Sequence, residues 1–169
     1  MLIKAYGLFW RADEIAWRPG RGGAFRIVGR NTVDRRRLLV ADMRSQSGIY
    51  ILYSDHGPYY VGLVGKERLG PRLRDHHLKD RHRGKWNRFS WFGFRKVLLR
   101  RDSDGFCELK DLALRAHGQP ARELADIEAL LIQAFGLSSN RSRMGFRAAQ
   151  RWDQVKEIEV DAMLAKIGI

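Results

Sequence analysis

One cysteine, Cys107, leaves this 169-residue chain unable to form an internal disulfide or a cysteine-rich zinc site, and suits a reducing cytoplasm. No run of about 18 apolar residues occurs, so a membrane-spanning helix is not expected. The opening MLIKAYGLFWRADE meets a charge pair too early for a secretion signal, so export is not expected either. No internal repeat or low-complexity linker interrupts the chain. Acidic residues are scarce: 19 Asp and Glu stand against 32 Lys and Arg, a net charge of +13.

What is present is an ordinary folded composition, 44% hydrophobic, at a length that suits one domain with a short appended segment. The positive charge is concentrated. Residues 66–101 hold 13 Lys and Arg against Glu67, Asp75 and Asp80, a net +10 in 36 residues. A polyanion is the natural partner, because each neutralised phosphate releases counterions. The plainer reading is a solvated surface that serves solubility. An anionic membrane fits less well, since no long apolar helical face accompanies the charges.

Local patterns suggest a small sheet covered by helices, an α+β fold. A hairpin is expected where two β-branched and aromatic runs, 49–53 and 59–64, flank the turn-forming Ser54, Asp55, His56, Gly57 and Pro58. A helix is expected over 69–79, with Pro71 in its first turn. Residues 89–99 read as a third strand. Residues 109–116, 121–135 and 153–167 read as helices, and 24–28 as a strand. Residues 31–43 fit either helix or strand.

Six features bear on chemistry. With opposed residue numbers in the hairpin summing to an even value, Tyr50 and Tyr60 share one sheet face. Simple core packing would use them equally well. Arg72 and His76, four apart, are neighbours on the helix 69–79, able to grip a phosphate and to exchange a proton. His76, His77 and His82 also invite a metal reading, set aside because no cysteine or carboxylate is expected at ligand spacing among so many cations. Glu128 falls on the apolar stripe of 121–135, where a carboxylate needs a partner or a metal; a stripe-edge glutamate that reaches solvent is the alternative. The stretch 81–101 interleaves Trp86, Phe89, Trp91, Phe92 and Phe94 with cations, which suits base stacking or, more simply, a core strand beside a charged surface. Arg35, Arg36 and Arg37 add either phosphate contacts or a solvated face.

Taken in order, Gly48-Ile49-Tyr50, Tyr60-Val61-Gly62, Arg72 with His76, Glu128 and then Asn140 resemble the GIY-YIG nuclease family over residues 48–140. The resemblance implies a three-stranded antiparallel sheet flanked by helices. It divides the chain into an N-terminal extension (1–47), a nuclease core (48–140) and a C-terminal helical segment (141–169). It further implies a metal-dependent endonuclease with a tyrosine pair at Tyr50 and Tyr60, a phosphate-binding Arg72, a histidine at His76, a metal ligand at Glu128 and a supporting amide at Asn140. The family often places a lysine directly after its second motif, where this chain has Leu63; Lys66 follows nearby.

Phosphodiester hydrolysis requires an activated water and neutralisation of the charge that builds on the phosphate. Two routes to activation stand open: a tyrosine acting as base once nearby cations have lowered its pKa, or proton relay through His76. With one carboxylate placed, a single Mg²⁺ or Mn²⁺ at Glu128 is expected, and the resemblance implies 5′-phosphate ends. Lys66, Arg74, Lys79, Arg81, Lys85 and Arg88 are the candidate substrate contacts, with DNA put ahead of RNA although no residue announces a 2′-hydroxyl reader. The rivals are a catalytically silent nucleic-acid-binding module and a metal-dependent RNase.

Overall fold

The computed structural model describes residues 3–21, 23–31, 38–64, 68–110 and 149–168, together with 130, 133 and 135. Nine strands are described: β1 (Ala5–Arg11), β2 (Val28–Asn31), β3 (Leu39–Asp42), β4 (Gly48–Ser54), β5 (Gly57–Val64), β6 (Arg88–Gly93), β7 (Val97–Arg101), β8 (Cys107–Leu109) and β9 (Gln150–Gln154). Two α-helices have both ends among the described residues, α1 (Leu69–Leu78) and α2 (Val160–Ala165). Seven strands form one mixed sheet in the order β3-β2-β9-β1-β6-β4-β5, while β7 and β8 pair separately. Only the β1–β9 pairing is parallel among those described.

A small three-stranded sheet flanked by helices is therefore not what forms. Residues N-terminal to Gly48 contribute three strands, and β1 lies inside the sheet between β9 and β6. The helix expected over 153–167 begins instead as β9. Trp152 is fully buried there, and its backbone pairs with Asn31 of β2. Burial of so large a ring stabilises by roughly 2–3 kcal/mol and outweighs local helical preference. The single strand expected over 89–99 is two, in different sheets. The chain leaves the large sheet after Gly93 because Arg95 turns inward and donates to the carbonyls of Ser45 (2.6 Å), Lys110 (2.9 Å) and Leu109 (3.2 Å). Leu109, expected to open a helix, closes β8.

β4 reads apolar on both faces because β5 and β6 flank it and both faces are covered. On one side Tyr50 and Leu52 pack with Phe89, Trp91, Leu69 and Leu73. On the other, Ile51 and Tyr53 meet Ile3, Phe92 and Leu130. A third cluster joins Val28, Val40 and Phe106 to Val155, Val160 and Met163, seating α2. The aromatics of β6 are thus core, with Phe89, Trp91 and Phe92 at 1% exposure or less, rather than a stacking surface.

Helix α1 forms where the sequence suggests. Leu69, Leu73 and His76 recur at helical spacing and are buried, and Pro71 sits in the first turn where its missing N–H is harmless. That stripe is what carries an imidazole into the sheet. Among the described residues, no helix is long and apolar enough to cross a membrane.

Candidate active site

The β4–β5 register pairs Tyr50 with Gly62 and Leu52 with Tyr60, so the two tyrosines do share a face. Their ring centroids lie 6.1 Å apart. The register slips by one residue beyond Leu52, which pairs Tyr53 with Pro58 and leaves the tyrosine face undisturbed. Tyr50 lies across Gly62 so closely that a Cβ there would fall 2.2 Å from its hydroxyl oxygen. Gly62→Ala is accordingly expected to displace the phenol, destabilise the fold by about 1–3 kcal/mol and lower activity well beyond that loss. A denaturation midpoint and rate equal to wild type would contradict this packing.

Helix α1 meets the tyrosine face from above. The Tyr50 hydroxyl lies 2.6 Å from His76 Nε2, and His76 Nδ1 lies 2.5 Å from Asp80 Oδ2. Asp80 Oδ1 accepts a 2.9 Å bond from the His82 backbone N–H. Burial pushes the Asp80 carboxyl up, but its bonds from His82 and His76 outweigh this and hold it below the usual carboxylate range. An ionised carboxylate only accepts, so the proton sits on Nδ1, and Nε2 accepts from the Tyr50 hydroxyl. Tyr50, His76 and Asp80 form a continuous proton path.

Burial pushes the Tyr50 phenol up to about 12, despite a hydrogen bond from Arg72 that favours its ionised form. The Arg72 guanidinium reaches both Tyr50 and Tyr60. Tyr50 and His76 are fully buried, whereas Tyr60 and Arg72 are half-buried and form the open side of the group. His82 folds back over Tyr60, its ring centroid 4.4 Å away, and places Nδ1 3.2 Å from the Tyr59 hydroxyl.

Burial also lowers the pKa of His76, His77 and His82, against an ordinary value near 6.5. A depressed histidine binds its proton more readily when unfolded. The stability it contributes is complete above about pH 6.5 and is lost as pH falls through the folded-state value. The denaturation midpoint is expected to drop between about pH 7.5 and about pH 5.5, less steeply in His76→Gln. A midpoint flat across that window would contradict neutral, buried imidazoles.

Of the positions singled out in the sequence, Tyr50, Tyr60, Arg72 and His76 come together. Lys66, Glu128, Asn140 and the Arg35-Arg36-Arg37 run lie outside the described residues. Arg74 and Lys79 line a groove on another side of α1. Arg81 donates toward His82 Nε2 at 3.4 Å, Lys85 is exposed, and Arg88 pairs with Tyr53 at the end of β6. Asp80 and His82 were missed as members of the site. The cue for Asp80 was the same four-residue spacing that links Arg72 to His76.

The view that no carboxylate stands at ligand spacing from these histidines is corrected too: ligand atoms of His76, Asp80 and His82 lie within 4.8 Å of one another. This set does not fit a resident Mg²⁺, which prefers oxygen donors. Both His76 nitrogens are already engaged, by Tyr50 and by Asp80. The chain matches no protein-family model, no curated protein and no solved structure.

Proposed function

We propose that the chain is a nuclease that hydrolyses phosphodiester bonds in nucleic acid, DNA ahead of RNA, as its resemblance to GIY-YIG enzymes implies. The observation that carries this reading is the Tyr50–His76–Asp80 path with Arg72 laid against both phenols, inside a chain of net charge +13. A module that only binds a polyanion has no need of a buried phenol donating to a carboxylate-backed imidazole.

The arrangement favours relay over a standing phenolate. Keeping a phenol of pKa about 12 ionised at pH 7 would cost about 7 kcal/mol. In the relay, Tyr50 passes its hydroxyl proton to His76 Nε2 while its oxygen takes up a proton from Tyr60, which in turn takes that of the attacking water, so neither phenol is left ionised. Asp80 then stabilises the imidazolium, as a carboxylate does behind any general-base histidine. Arg72, half-buried on the open side, supplies fixed positive charge where the phosphate becomes more negative.

A divalent cation, Mg²⁺ or Mn²⁺, belongs to this reading through Glu128, where it would stabilise the leaving oxygen when bound. The test is incubation of duplex DNA, single-stranded DNA and RNA with Mg²⁺ or Mn²⁺, and again with EDTA. Cleavage is expected with metal and not with EDTA, and Glu128→Gln is expected to stop cutting while binding persists. Intact substrates under every metal condition would overturn the proposal in favour of a silent binding module.

A further inference from the structure

A second basic feature lies about a third of a turn around α1 from the His76 face. It is an open groove of about 880 Å³ between α1, the Met43–Ser45 turn and the segment around Arg18 and Phe25. Arg18, Arg44, Arg68, Arg74 and Lys79 line it. Arg44 is paired with Asp42 at 2.5 Å and Lys79 with Asp75 at 3.1 Å. Arg18, Arg68 and Arg74 have no carboxylate within ion-pair distance among the described residues.

These cations are held in place. The Arg74 guanidinium lies 5.1 Å from the Phe25 ring centroid and that of Arg44 lies 6.0 Å from it, two guanidinia on one aromatic ring. Arg68 is anchored by a 3.2 Å bond from Nη1 to Ser45 Oγ. It precedes α1 with φ at 61°, a conformation seldom adopted outside glycine and one that needs support from its surroundings. The Leu69 N–H, bonded to the Gln46 carbonyl at 2.8 Å, ties that junction to the same turn. Guanidinia gathered this way repel one another unless an anion lies between them. Fixed planar forks suit phosphate oxygens better than a diffuse counterion cloud does.

We infer that this groove binds the phosphodiester backbone of a polynucleotide strand as it runs on from the phosphate held at Arg72. Arg68 caps the N-terminal end of α1 and Arg72 lies in its first turns, so the groove and the candidate active site occupy neighbouring sides of one helix. Its volume and open form suit several linked phosphates rather than one small anion. The inference rests on the nuclease reading for the identity of the polymer. Its test does not require cleavage.

Binding of a fluorescein-labelled 20-nucleotide DNA strand is measured by anisotropy in EDTA, at several salt concentrations. Arg68→Gln/Arg74→Gln is compared with wild type and with Lys96→Gln, an exposed lysine outside the groove. The double variant is expected to bind about tenfold more weakly and to lose about 1.4 from the slope of log K against log salt, about 0.7 for each contact. Lys96→Gln should follow wild type. If the double variant fails to fold, Arg18→Gln, at an exposed side chain, is expected to show about half of that slope change. Unchanged affinity and slope would overturn the groove, as would a mononucleotide that binds as tightly as the 20-mer, or wild type that does not bind at all. Groove-dependent binding without cleavage in any metal would keep the groove and discard the nuclease.

Discussion

Tyr50→Phe is expected to lower the rate of phosphodiester cleavage by about 10²–10⁴-fold, the usual worth of general acid–base catalysis, with the fold retained. The ring stays where Leu69, Leu73 and Trp91 pack, so the core loses no volume. What goes is the hydroxyl that donates to His76 Nε2 at 2.6 Å, which breaks the path to Asp80. A buried imidazole nitrogen is left without its partner, for about 1–3 kcal/mol of stability. Thermal denaturation and single-turnover cleavage together separate the two effects. His76→Gln should fall in the same range and flatten the acidic limb of the pH–rate profile, because the group that accepts the proton is gone. Near-wild-type turnover in Tyr50→Phe would remove the relay from the mechanism.

Arg72→Gln carries the second large effect, about 10²–10³-fold in kcat, the loss usual when a donor aimed at developing charge is removed. The guanidinium interacts with both phenols from a half-buried position, so it borders the site and its open side at once. Its positive charge also favours the ionised form of Tyr50. Without it the phenol pKa rises further, and any limb of the pH–rate profile that reports Tyr50 should move to more alkaline pH. Arg72→Lys keeps the charge but not the planar fork that spans two hydroxyls, and should recover only part of the loss. Complete recovery in Arg72→Lys would reduce the role to charge alone.

Much of the site could be read from local spacing. A period of two placed Tyr50 and Tyr60 on one face once the hairpin was recognised, and helical spacing placed Arg72 beside His76. The same spacing reaches Asp80, which lies one residue past the helix expected over 69–79. His82 had no such signal. It enters the site because residues after α1 fold back, with the His82 N–H on Asp80 and Trp86 Nε1 donating to the His76 carbonyl at 3.4 Å. The sheet beyond β5, β4 and β6 has no local signal for a related reason. Residues 150–154 and 5–11 show no strict alternation, and their pairing joins Ala5 to Gln150 across almost the whole chain.

The amino-acid order alone settled the charge, the hairpin that sets two phenols on one face and the helix that sets a guanidinium beside an imidazole, because each depends on neighbours within a strand, a turn or a helix. The tertiary structure alone decided the seven-stranded sheet, the burial that raises Tyr50 and lowers His76, and the recruitment of Asp80 and His82. Those depend on which distant segments exclude water from a given atom, and no local period encodes that.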